Sequence, residues 1–259
     1  MIYLKLVIQA EDEESRSMSG KAKSKPKAIV QAKKSNPAKA LVLYTTTILV
    51  LFAAIFFINR ANNGPEEAAR LTELPSIVDQ PVIGSEQAKV SIIEFGDYKC
   101  PACKQWSANV YPILKSQYID SGQVKLAFIN TLFHGAESTL GAIAGEAVLK
   151  QNKEAFWEFN EAMFAAQPTS DHDSEWITEQ KIAEIANSIP TNIDIKKLAD
   201  DVTNRSTSPQ LDIDTGIVTK YRINQTPTLL INGIKVVNPF DLEEIKSIID
   251  KEIGGARNE

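Results

Sequence analysis

The sequence predicts an α/β domain whose sheet is interrupted by a long run of helices, with one apolar helix ahead of it. Three observations carry this reading. Strand-like segments frame a helix near residue 100, and strand character returns only near residue 228. Between residues 136 and 221 apolar side chains recur at helical spacing. Residues 40–58 (ALVLYTTTILVLFAAIFFI) contain no charge.

The uncharged run comes first. Nineteen residues at helical rise span roughly 28 Å, close to the ~30 Å hydrocarbon thickness of a bilayer. The run exceeds the apolar region of a cleaved signal peptide, and no small-x-small site follows Ile58. An uncleaved signal-anchor is therefore expected over 40–58. Lys21, Lys23, Lys25, Lys27, Lys33, Lys34 and Lys39 precede it. The positive-inside bias puts residues 1–39 in the cytoplasm and the remainder outside, on a single-pass membrane protein. Residues 1–39 balance at +5 and residues 60–259 at −10. The outer part thus lacks the basic footprint of a nucleic-acid-binding protein. The first seventeen residues carry an acidic cluster from Glu11 to Glu14 that fits a cytoplasmic basic tail poorly, so translation is expected to start at Met18. Residues 59–79 read as a polar linker.

The domain follows. Residues 90–95 (VSIIEF) are β-branched and apolar, a buried strand. Helical spacing holds from about 101 to 118, and a second strand is expected over 124–133. Helices are expected over 136–151, 153–166, 175–188, 194–204 and about 209–221. The fourth of these would be capped by Asp194 or Asn192. Phe156, Phe159, Met163 and Phe164 form an apolar stripe that reads as core. Strands at 228–232 and 235–238 make a hairpin around Asn232-Gly233, and Asp241 caps a final amphipathic helix. This gives a sheet domain over 80–134 and 222–254 with a helical insertion over 135–221.

Cys100-Pro101-Ala102-Cys103 holds the only two cysteines of the chain. They lie at the strand-to-helix junction, where Cys100 would cap the helix and Pro101 would occupy its first turn. Unpaired N–H groups at a helix start lower a thiol's pKa. The arrangement predicts an exposed, attacking Cys100 and an internal, resolving Cys103. Two other readings stay open on the residues alone. A zinc site would need more ligands than His134 and His172 supply at their spacing. An inert bridge is compatible with an external domain.

The stretch FGDYKCPAC, with FHG after the second strand, FWEF in the insertion and TPT before the last strands, resembles the DsbA-like branch of the thioredoxin superfamily. Over about residues 81–253 the likeness extends to the membrane-anchored DsbA-like oxidases of Gram-positive bacteria. It implies a thioredoxin fold interrupted by a helical domain. It also implies that Pro227 is cis and faces the cysteine pair, with Thr226, Pro101 and Ala102 beside it at the substrate-binding surface. Glu94 stands where the family has a buried acid that relays a proton to the resolving cysteine. Alternation in so short a strand leaves the face of Glu94 open. Ala102 replaces the histidine of the best-known enzyme of the branch, which should leave Cys100 less acidic than in that enzyme.

The expected function is extracytoplasmic oxidation of cysteine-containing secreted or membrane proteins by the Cys100–Cys103 disulfide, with no metal and no other cofactor. The resemblance implies a DsbB-like membrane quinone reductase as reoxidant. A reductase at the same location, a binding or chaperone domain that kept the fold, and an isomerase are the alternatives.

Overall fold

The computed structural model describes residues 37–62 and 70–255, with side chains of the first stretch described over 41–55. It divides into two units, Met1–Gly64 and Pro65–Glu259. In the first, helix α1 (Pro37–Asn62) contains the whole uncharged run. Its large apolar side chains, among them Leu41, Phe52 and Ile55, are exposed. Thr45, Thr46 and Thr47 return their hydroxyls to carbonyls of Val42 and Leu43 at 2.7–3.0 Å. Among the described residues no helix is long and apolar enough to cross a membrane; 41–55 alone is shorter than the ~20 residues a bilayer core requires. The start at Met18, most of the basic tail and part of the linker lie outside the described residues.

The second unit opens with a short strand, β1 (Val82–Gly84), ahead of the first strand expected from the sequence. Then come β2 (Val90–Gly96), α2 (Pro101–Asn109), α3 (Tyr111–Leu114) and β3 (Val124–Asn130). The single helix expected over 101–118 is thus broken. Pro112 has no N–H for the preceding turn, so the helix ends at Asn109 and restarts. It finishes as a π turn, Lys115–Ile119, closed by Asp120 N–H donating to the Lys115 carbonyl at 2.9 Å. The second strand stops at Asn130 rather than 133; there the backbone N–H donates to the Asp214 carboxylate at 3.2 Å and not to a neighbouring strand.

Five helices follow: α4 (Ala136–Gln151), α5 (Lys153–Ala166), α6 (Glu179–Ser188), α7 (Ile195–Thr203) and α8 (Ser208–Lys220). Helix α6 begins four residues later than expected, since Thr178 is its cap and accepts from Lys181 N–H. Asp194 caps α7 by the same geometry. The chain closes with β4 (Thr228–Ile231), β5 (Ile234–Lys235) and α9 (Leu242–Gly255). The hairpin's second strand is shorter and one residue earlier than its apolar run suggests. The Val237 and Asn238 amides instead donate to the Glu244 carboxylate, which draws the chain off the sheet edge.

The sheet order is β1-β3-β2-β4-β5. Strands β2 and β3 are parallel and the outer pairs antiparallel. Strand β2 is central and covered on both faces, which explains its near-continuous apolar sequence. Its alternate residues serve two cores. Val90 and Ile92 join Leu126, Phe128 and the helices on one side, and Ile93 and Phe95 join Ile129 and Ile223 on the other. By the same period of two, Glu94 points into the larger core, beneath α2.

Candidate active site

The strand-to-helix junction after β2 is built from a turn. Asp97 carbonyl accepts from Cys100 N–H at 3.0 Å, and the Asp97 carboxylate accepts from Lys99 N–H at 2.8 Å. Cys100 is then the N-cap of α2, with φ −74° and ψ 120°, and Pro101 stands in the first turn. Both cysteines are unbridged. Cys103 is fully buried, as expected for the internal thiol. Cys100 is 6% exposed rather than open to solvent. The correction has a cause: Thr226 lies over its sulfur, and the Cys100 thiol donates to the Thr226 carbonyl at 3.4 Å. Thr226–Pro227 is cis, with Pro227 buried and Thr226 half-buried. Pro101 and Ala102 are half-buried beside it.

The two thiols are electrically unlike. The Cys103 thiol hydrogen-bonds the Cys100 sulfur and does most to bring its pKa down to about 5, against the opposing effect of burial. The Thr226 side chain and the amides of Cys103 and Ala102 add to this. Burial pushes the Cys103 thiol well up, and its hydrogen bond to Cys100 adds to that. Glu94 is 3% exposed, and burial, then the Cys100 charge, hold its carboxyl well above the usual range. Its Oε1 has no hydrogen-bond partner. The fold thus gathers Cys100, Cys103, Glu94, Pro101, Ala102, Thr226 and Pro227 at one end of the sheet. The register explains the grouping: Phe95 pairs Thr228, which places the Thr226–Pro227 turn beside the end of β2.

Around this centre stand residues to which the sequence pattern assigns no role beside the cysteines. Tyr98 is buried against Phe128 and Phe164, with ring centroids 5.7 and 5.1 Å away. Gly141 and Gly145 of α4 make room for that ring; a Cβ on Gly145 would stand 3.0 Å from the Tyr98 hydroxyl. The Asp97 carboxylate also accepts from Phe133 N–H, His134 Nδ1 and Ser138 Oγ at 3.0, 2.7 and 2.9 Å. Gly135, with φ 74°, lets the chain turn there into α4. Lys99 pairs with Glu137 at 2.5 Å. A Gly-Asp pair before the cysteines is a turn signal that could have pointed to Asp97. Of its partners, Lys99, Phe133 and His134 fall in the FGDYKCPAC and FHG stretches, but nothing in the pattern tied them to Asp97, and Ser138 went unmarked. Among the described residues no group of three or more His, Cys, Asp or Glu side chains is placed to hold a metal ion.

A dithiol at the head of a helix, facing a cis-proline turn and built into an α/β sheet with inserted helices, defines a thiol–disulfide oxidoreductase. Its working group is the cysteine pair itself. A family model described as thioredoxin matches residues 76–251. The chain is 39% identical over 181 residues to disulfide bond formation protein D of Bacillus subtilis strain 168, covering 70% of this chain and 80% of that one. The crystal structure of oxidised BdbD from B. subtilis superposes with a TM-score of 0.68 at 37% identity, over 71% of this chain and 98% of that one. Chlamydia trachomatis DsbA shares the fold, with a TM-score of 0.60 at 24% identity over 71% of this chain and 96% of its own. The chain belongs to the thioredoxin family, among its DsbA-like protein disulfide oxidoreductases.

Proposed function

We propose that this protein donates the Cys100–Cys103 disulfide to cysteine-containing proteins outside the cytoplasm, where secreted and membrane chains acquire their bridges. A substrate thiolate attacks Cys100 Sγ, and the Cys100–Cys103 bond breaks. Cys103 leaves with the electron pair. Its high proton affinity makes it take up a proton, which a neutral Glu94 supplies from the core side. A second substrate thiolate then attacks the substrate sulfur of the mixed disulfide, and Cys100 leaves as a thiolate. The substrate loses two electrons and the enzyme holds them as a dithiol.

The observation that carries this reading is the unequal pair: an acidic Cys100 at the head of α2, facing the Thr226–Pro227 turn, over a fully buried, basic Cys103. Stabilising the Cys100 thiolate favours the dithiol, so the disulfide is a stronger oxidant. Thr226 and Pro227 form the opposite lip, where an extended substrate segment would lie, with Pro101 and Ala102 on the near side. Turnover requires an acceptor for two electrons, and a DsbB-like membrane quinone reductase fits that need.

Anchoring belongs to the same proposal. The threonines within the apolar run satisfy their hydroxyls on the helix's own carbonyls, which suits a hydrocarbon environment. With the basic tail inside, α1 would hold the domain at the outer membrane face, close to emerging chains and to its reoxidant. The redox potential tests the direction. A value well above about −200 mV supports the oxidase, and one near about −270 mV or below would make it a reductase. In a Cys103→Ala variant, substrates should accumulate as mixed disulfides through Cys100. Failure to trap any protein, with Cys100→Ala retaining full oxidative refolding activity, would end the enzyme reading.

A further inference from the structure

One side chain joins the helical segment to the backbone on both sides of Lys99. Gln167 follows the last residue of α5 and is 3% exposed. Its side-chain amide donates one N–H to the Tyr98 carbonyl at 2.7 Å and the other to the Cys100 carbonyl at 3.1 Å. Its own backbone carbonyl accepts from the Lys104 ammonium on α2. A closed loop of hydrogen bonds therefore runs from α2 through Gln167 to the N-cap of α2. The local sequence holds Gln167 in place: Pro168 follows it, which biases it to extended backbone, and its φ and ψ are −54° and 138°.

We infer that Gln167 is a positioning residue: it fixes the backbone turn that presents Cys100 and thereby tunes that sulfur as attacked and leaving group. The inference rests on Cys100 being the attacked sulfur, as proposed above. Two effects carry it. The amide protons offset the partial negative charge of two carbonyls of the turn, one of them the cysteine's own. They also hold the Cys100 carbonyl where it accepts from Lys104 N–H, at 3.2 Å, as the first helical bond of α2. That orientation aims the Ala102 and Cys103 amides at the sulfur. Without Gln167 the Tyr98 carbonyl, in a buried residue, loses its donor, a penalty that rotation of the turn would relieve. Rotation would move the amides off the thiolate. The dithiol form would suffer, whereas the disulfide form carries no charge there.

The test compares full-length reduced wild type, Gln167→Met and Asn152→Ala by thiolate absorbance against pH and by equilibration with glutathione. Asn152 caps the far end of α5, accepting from the Glu154 and Ala155 amides, and is remote from the turn in sequence. Gln167→Met should raise the Cys100 pKa by about one unit. It should also shift the glutathione equilibrium tenfold towards the disulfide form, which is about 30 mV. Asn152→Ala should lower thermal stability and leave both readouts in place. An unmoved Cys100 in folded Gln167→Met, or an equal movement in Asn152→Ala, overturns the inference. If Gln167→Met does not fold, the wild type decides by nuclear magnetic resonance. The Gln167 side-chain amide should exchange slowly with solvent and shift in step with the Cys100 titration. Rapid exchange, or no such shift, overturns it. A wild-type Cys100 that titrates as an ordinary thiol instead removes the underlying reading of the site.

Discussion

Position 94 puts a carboxyl group in the core with one oxygen unpartnered. A fold that valued only stability would place an apolar residue there. In Glu94→Leu the unfolding free energy should rise by about 1–3 kcal/mol at neutral pH, measured by urea denaturation. The sign of the pH dependence follows from the raised pKa. Below the unfolded value both states hold the proton and the group costs nothing in charge. As pH climbs past about 4.5, the unfolded chain ionises first and is favoured. The variant's advantage should therefore grow from pH 4 towards pH 7. Its rate of substrate oxidation should fall, because Cys103 would leave without its proton source. A variant with wild-type oxidation kinetics would remove Glu94 from the mechanism.

Elements meet at Asp97, where the end of β2, the turn before α2, the residues after β3 and the start of α4 share one carboxylate. Four donors converge on it, from Lys99, Phe133, His134 and Ser138. Asp97→Ala should cost about 3 kcal/mol of stability, since several buried donors lose their acceptor together. Thermal melting of the oxidised protein reads this, and a loss below about 1 kcal/mol would show that water replaces the carboxylate. The element boundaries show how far a sequence speaks. Helix caps were legible because Asp194 and Asp241 act on amides two or three residues away. Strand ends were not legible. At Asn130, where β3 ends, the backbone N–H donates to Asp214 and the side chain reaches Glu146 and Asp214, at 2.9 Å each, on two helices distant in sequence.

At the scale of the whole molecule, the domain and the apolar helix are separate units. Residues 65–259 expressed alone should fold, keep the melting temperature of the domain and oxidise a soluble substrate at the full-length rate. The full chain should resist extraction from membranes by alkaline carbonate, and the fragment should not. Equal partition of both into the soluble fraction would rule out the anchor.

Unlike β1 and the break of the first helix, the cysteine pair, its place between strand and helix, the run of helices between β3 and β4 and the apolar run were all determined by the sequence itself. Each is a local pattern of spacing and residue type that adjacent backbone can express. The tertiary structure alone decided that Glu94 faces inward, that Thr226 covers Cys100, and that Gln167 and Asp97 hold the turn. These groups lie from a few to more than a hundred residues from Cys100 in the chain. Their electrostatic effects on its sulfur depend on separations of a few ångströms, which only the packed sheet and helices can set.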